Sequence, residues 1–217
     1  MFQLMLKDIY IQRKTAFIAP VFLLIYFLTM GRELENTGSL IAMAYSLAVA
    51  FIAFLMLVYS NFNTGETEKM HNRLVLSLPV ERWSVINAKY VMVSVWWLCA
   101  YISCTILAFI LKNVFHEFSF PTFDLNSLIF SLCITYILAA VFYPIYYKFG
   151  WKAAQILIVG LFFLFSFGLG KLLSLDVKSG IISMVFKYPV TSCMIITLTI
   201  ALVSYFLSLR IYEKKEF

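Results

Sequence analysis

The densest group of ionisable side chains lies in a polar segment, residues 62–88, between two long apolar runs. Acids, bases and an imidazole this close in sequence could transfer protons, bind a metal ion or contact a charged partner. No HExxH motif is present, and the second histidine, His116, lies in a different loop. We therefore interpret the segment as a surface for a protein partner. Its expected contact residues are Glu66, Glu68, Lys69, Met70, His71, Arg73 and Leu74.

The other reactive groups do not form a catalytic or ligand-binding arrangement. The four cysteines fall inside apolar runs without a CxxC pair, where buried thiols behave as small hydrophobic side chains. The sequence GLGK at 168–171 does not match a phosphate-binding loop, because Phe165 replaces the first glycine of that motif and Leu172 replaces its serine or threonine. We expect no enzymatic activity, no metal site and no cofactor bound by this chain.

Composition indicates a membrane protein. Of the 217 residues, 63% are hydrophobic and 13% are charged, and the mean hydropathy is +0.91. A soluble domain averages about 45–50% apolar and about 25% charged residues. The net charge of +6 is explained by anionic headgroups and a positive-inside distribution, so it does not require nucleic acid as a partner.

Apolar runs predict an all-α fold with six transmembrane helices, because about 20 such residues cross about 30 Å of hydrocarbon. The runs cover residues 15–30, 39–61, 89–111, 126–147, 153–174 and 188–209. We expect one transmembrane domain over residues 15–217, with 62–88 as its longest cytoplasmic loop.

Residues 1–14 have a different pattern. Phe2, Met5, Leu6 and Ile9 recur at helical spacing on one face, which predicts an amphipathic helix lying in the membrane interface. The alternative is a secretory signal peptide, but no small-x-small cleavage site follows the first apolar run. We expect the first span to be retained.

Basic residues predict the orientation. With both termini in the cytoplasm, twelve of the 17 lysines and arginines lie inside and five lie outside. The interior of the six spans carries no acidic, basic or histidine side chain, since Lys89 and Lys171 lie near span ends. Proton relays and ion pathways need such groups at membrane depth, which argues against an ion-coupled transporter or a channel. Energy for transport must then come from another subunit. A membrane scaffold that transports nothing is the remaining alternative.

The segment 62–88 has the local signals of a rigid element. Asn63 and Glu66 have the spacing of a helix capping box, and Pro79 favours the start of a second helix. That helix is expected to continue to about residue 111, a length near 50 Å at about 1.5 Å per residue, well beyond the bilayer. An ordinary solvated loop with basic anchors is the alternative.

Three stretches resemble ABC-2-type permeases, the membrane subunits of ATP-binding-cassette exporters. NRLVLSLPVERWSVINAKYV, residues 72–91, is similar to the family signature through its LSLP tetrapeptide, Arg82 and the Lys-Tyr pair at 89–90. YPIYYKFGWKAAQ, residues 143–155, resembles the second cytoplasmic turn of these permeases, and MLKDIYIQRK, residues 5–14, resembles their N-terminal helix. The likeness covers most of the chain, with six spans in the expected order.

The resemblance implies a permease of the bacterial plasma membrane that pairs with a second copy or a paralogue. It also implies two cytoplasmic ATPase subunits, which bind ATP and Mg²⁺ and tilt the loop helix when they close. Subfamilies that export bacitracin-like antibiotics or phenol-soluble modulins are the nearest likeness, so the expected substrate is an amphipathic peptide, an antibiotic or a lipid-like molecule.

Six further residues complete the predicted sites. Those expected to contact the ATPase are Arg82, Lys148, Trp151 and Lys152. Headgroup snorkelling of Arg82 and positive-inside anchoring by the two lysines are the alternatives. Trp96 and Trp97 lie deeper than the interfacial level where tryptophan is enriched, so we consider them candidates for the substrate path or the dimer face. Packing against lipid is the alternative for this pair.

Overall fold

The computed structural model describes residues 38–61, 82–114, 125–160 and 189–214, and every regular element within those ranges is an α-helix. The helices are α1, Gly38–Ser60; α2, Arg82–Val114; α3, Leu125–Phe149; α4, residues 151–160; and α5, Pro189–Lys214. The predicted interfacial helix 1–14, the first predicted span and most of the loop 62–88 lie outside the described residues.

Within the described ranges, three helices are long and apolar enough to cross a membrane. Their qualifying segments are Trp83–Ile110, Leu125–Phe149 and Val190–Lys214, of 28, 25 and 25 residues. Each exceeds the about 20 residues that cross the hydrocarbon. α1 contributes a shorter apolar segment, Tyr45–Ser60.

Helices occur at the second, third, fourth and sixth predicted spans, and α4 occupies the start of the fifth. The prediction of an unusually long third helix is confirmed, since α2 has 33 residues and therefore measures about 50 Å at about 1.5 Å per residue. It extends to Val114, slightly beyond the predicted end near residue 111, and no proline or glycine interrupts the chain in between. The predicted start near Pro79 lies outside the described residues.

The chain divides into two compact units, and the first contains α1, α2 from Trp83 and α3 as far as Ala139. α1 forms the core of this unit. Phe54 and Leu57 are fully buried, and among the described side chains of α1 only Tyr59 is exposed. A helix that is apolar all round is expected to be largely buried, and among its described side chains α1 leaves only the stripe of Leu47, Phe51, Leu55 and Tyr59 partly exposed.

The second unit contains α3 from Ala140, α4 and α5. α5 exposes large apolar side chains and buries small polar ones, which is the reverse of a helix in a soluble protein. Its large apolar residues Leu198 and Phe206 are about two-thirds exposed, whereas Ser204 and Ser208 are buried. Such a surface is stable next to lipid, where small and hydroxyl side chains form the packed face of a transmembrane helix.

Pro144 lies inside α3 and determines how α3 packs against α5. Proline has no backbone N–H, so the carbonyl of Ala140, four residues earlier, loses its helical donor. The Ser204 hydroxyl on α5 donates to that carbonyl at 2.6 Å. The proline is tolerated at membrane depth because a neighbouring helix supplies the missing donor.

Candidate functional site

Gly150 forms the predicted second cytoplasmic turn. Its φ of 79° lies in the left-handed region, where a Cβ atom costs about 1–2 kcal/mol. The Gly150 N–H donates to the Tyr146 carbonyl at 2.9 Å, and the Gly150 carbonyl accepts from the Ala154 N–H at 3.3 Å. One glycine therefore ends α3 and begins α4, which makes the turn as short as the chain allows.

The predicted contact residues around this turn differ in exposure. Lys148 and Lys152 are exposed, and the Lys148 ammonium lies 5.0 Å from the centroid of the Phe149 ring. Trp151 is 7% exposed, so its ring packs inside the unit. The two lysines are thus accessible at the turn, whereas Trp151 is buried beside them.

Aromatic rings connect the turn to α5. Phe142 stacks on Tyr146 and Tyr143 stacks on Tyr147, with ring centroids 5.6 and 6.0 Å apart. Tyr147 then meets Tyr212 of α5 edge to face at 5.4 Å. Stacked and edge-to-face pairs at these distances add stability beyond area burial. This aromatic cluster was not predicted, although the i, i+4 spacing of its residues is visible in the sequence.

Trp96 and Trp97 point to different surroundings. The Trp97 indole N–H donates to Ser131 Oγ of α3 at 3.0 Å, and its ring lies 5.9 Å from that of Tyr101. Trp96 is 5% exposed, and its indole N–H has no acceptor among the described residues. Trp96 is therefore buried, and Trp97 is partly buried against α3.

Hydroxyl groups strengthen the contact between α2 and α3 in the first unit. Ser94 and Tyr136 share a hydrogen bond of 2.5 Å, in addition to the bond from Trp97 to Ser131. Ser94 and Trp97 are three residues apart on one face of α2. These two bonds join α2 to α3 in the first unit.

The end of α1 is closed by side chains immediately before the predicted coupling loop. Ser60 Oγ and Asn61 Nδ2 each donate to the Leu57 carbonyl at 2.8 Å, and Asn61 is 3% exposed. Carbonyls in the last turn of a helix lack intrahelical donors, and these bonds satisfy one of them. Asn61 therefore fixes the point at which the chain leaves α1 and enters residues 62–88.

The remaining predicted contact residues are only partly covered. Those outside the described residues are Glu66, Glu68, Lys69, Met70, His71, Arg73 and Leu74. Arg82 is the first residue of α2, four turns before Trp96. Within the described ranges, no three histidine, cysteine or carboxylate side chains come together to hold a metal ion.

Comparison with known proteins identifies the family. A family model described as "ABC-2 family transporter protein" matches residues 3–213. No match was found among curated proteins or among solved structures. Proteins of this family are multi-pass membrane permease components of ABC transporters, which work with an ABC ATPase and are not themselves catalytic. Since the match covers nearly the whole chain, the protein belongs to the ABC-2 transporter family.

Proposed function

We propose that this permease belongs to an ABC exporter and uses ATP hydrolysis in its partner ATPases to move an amphipathic substrate out of the cell. The family match over residues 3–213 carries the proposal. Small peptides, antibiotics of the bacitracin type and lipid-like molecules are the proposed substrates. The protein lies in the bacterial plasma membrane with both termini in the cytoplasm, and it acts with a second copy or a paralogue.

The loop 62–88 is the proposed coupling element, and the turn at Gly150 is a second contact. The proposal is supported by the buried Asn61 at the start of the loop and by the exposed Lys148 and Lys152 at the turn. ATP and Mg²⁺ are bound by the ATPase subunits. Their closure displaces the loop, and the loop is continuous with α2.

α2 is the proposed route by which this displacement enters the membrane. A single helix of 33 residues transmits a tilt along its length without a hinge, since no proline or glycine interrupts it. The bonds from Ser94 to Tyr136 and from Trp97 to Ser131 make α3 follow α2. Movement of the two helices opens the path, along which we place Trp96, while Trp97 keeps α2 bonded to α3.

Transport in reconstituted vesicles tests the proposal. The permease is purified in mild detergent with its bound ATPase, and uptake of a fluorescent amphipathic peptide is measured in inside-out proteoliposomes. Uptake that requires ATP and Mg²⁺ and stops with vanadate is the expected result. Uptake driven by a pH gradient without ATP would instead support an ion-coupled transporter. A purified complex that hydrolyses no ATP and moves no peptide would support a scaffold.

A further inference from the structure

The adjacent tryptophans of α2 differ in how their indole N–H groups are satisfied. Trp97 donates to Ser131 Oγ at 3.0 Å. Trp96 is 5% exposed, and none of the described residues offers an acceptor to its Nε1. A buried donor without an acceptor costs free energy, so the large majority of such groups in native proteins are paired.

The ring of Trp96 lies on the inner face of α2. Met92 and Ala100, one turn before and one turn after it, are buried as well. The nearby hydroxyls of Ser131 and Thr135 on α3 each donate to a carbonyl of their own helix, and Ser131 also accepts from Trp97, but neither accepts from Trp96. Among the described residues, the indole N–H of Trp96 is therefore a buried donor without an acceptor, on a helix that we expect to move.

We propose that Trp96 is a recognition residue that donates its indole N–H to a carbonyl oxygen of the transported amphiphile, whereas Trp97 holds α2 against α3. This inference rests on the proposed function and specifies the chemistry of its substrate path. The indole nitrogen donates and cannot accept a hydrogen bond, so it selects an oxygen acceptor. The ring itself offers an apolar surface to an alkyl chain.

The indole N–H and the apolar ring surface of Trp96 together fit an amphiphile that has an amide or ester carbonyl beside an alkyl chain. A hydrocarbon of the same length fills the apolar surface but leaves the N–H unpaired. The donor therefore distinguishes carbonyl-bearing amphiphiles from plain hydrocarbon, including the lipid tails that surround the protein. This selectivity gives a use in transport to a buried N–H that has no acceptor among the described residues.

Indole N–H signals test the assignment directly. The full-length permease, labelled with ¹⁵N-tryptophan, is placed in lipid nanodiscs and titrated with N-dodecylacetamide or with tetradecane. We expect one signal to move downfield with the amide and to remain in place with the alkane. That signal is expected to be absent from Trp96→Phe and present in Trp97→Phe.

Affinity for the amide provides the second readout. Loss of one hydrogen bond in Trp96→Phe is expected to weaken binding about 3- to 10-fold, whereas Trp97→Phe binds as wild type but melts at a lower temperature. Incorporating β-(3-benzothienyl)alanine at position 96 replaces the N–H by sulfur while keeping the ring shape, so it reproduces the loss of binding even if phenylalanine perturbs folding.

Three results would overturn the inference. They are an amide that moves no indole signal, a moving signal that disappears in Trp97→Phe, and equal amide binding by wild type and both variants at position 96. The titration uses neither ATP nor the ATPase. Failure of the proposed function would instead appear as intact amide binding without ATP-dependent transport.

Discussion

α1 and α5 are apolar helices of similar length, 23 and 26 residues, yet they pack in opposite ways. α1 buries large side chains such as Phe54 and Leu57 over most of its circumference and leaves one stripe, ending at Tyr59, partly exposed. α5 buries Ser204 and Ser208 and exposes Leu198 and Phe206. Hydropathy therefore does not determine which face of a membrane helix is packed. α1 is held by shape and volume, whereas α5 is held by close approach of small residues and by hydrogen bonds.

Truncation of a large side chain is the strongest test of this contrast. Leu57→Ala removes a fully buried side chain from α1 and is expected to destabilise the protein by about 2–5 kcal/mol, because a cavity remains. Leu198→Ala on α5 is the matched control, since that side chain is 64% exposed and its loss should change stability by less than about 0.5 kcal/mol. Unfolding of the two variants in mixed micelles compares them, and equal losses would contradict the contrast.

Removal of a hydroxyl should have the larger effect on α5. Ser204→Ala leaves the Ala140 carbonyl without its donor and is expected to cost about 1–2 kcal/mol. Thr199→Ala is the control on the same helix, because its hydroxyl donates to the Ile196 carbonyl of α5 itself and its residue is exposed. The same unfolding assay measures both variants.

Pro144 provides a more specific test of the hydrogen bond between Ser204 and the Ala140 carbonyl. Replacing it with alanine in the Ser204→Ala background restores a backbone N–H that can donate to the Ala140 carbonyl. The double variant Pro144→Ala/Ser204→Ala should therefore recover most of the lost stability, which gives a positive interaction term in a double-mutant cycle. Additive losses would show that the Ser204 hydroxyl does not replace the helical donor.

The smallest change in stability is expected for a substitution at Gly150, where the backbone conformation matters more than side-chain packing. Gly150→Ala places a Cβ atom at a φ of 79° and is expected to destabilise by about 1 kcal/mol. Gly160→Ala, within α4, is expected to have the opposite sign and to stabilise by up to about 1 kcal/mol, because a Cβ atom there meets nothing within 4 Å. Two changes of the same sign would contradict the assigned role of Gly150.

The helices themselves could be predicted from the sequence because their signal is local. Runs of apolar residues longer than the hydrocarbon is thick give the positions of α2, α3 and α5, and Pro79 with the uninterrupted run after it predicted the unusual length of α2. The family, too, was predictable from short local motifs, since the stretch at 143–155 contains the turn at Gly150.

The contacts between helices could not be predicted, because they depend on which faces meet. Nothing in the sequence places Ser204 beside Ala140, which is 64 residues away, or Trp97 beside Ser131. The same limit applies to the two tryptophans. Their neighbouring positions suggested a common role, whereas the structure gives one of them a hydrogen bond to α3 and leaves the other buried without an acceptor among the described residues.

Association with an ABC ATPase through residues 62–88 tests the central claim most directly. Tagged wild type and the double variant Glu68→Lys/Arg73→Glu are purified in mild detergent, and the ATPase recovered with each is quantified. The control is Lys112→Glu, a charge reversal on the side predicted to face outward. We predict that the ATPase accompanies wild type and Lys112→Glu, and that the double variant recovers about tenfold less, because unfavourable charge pairs replace favourable ones. Equal recovery with the double variant, or no ATPase with wild type, would contradict the account.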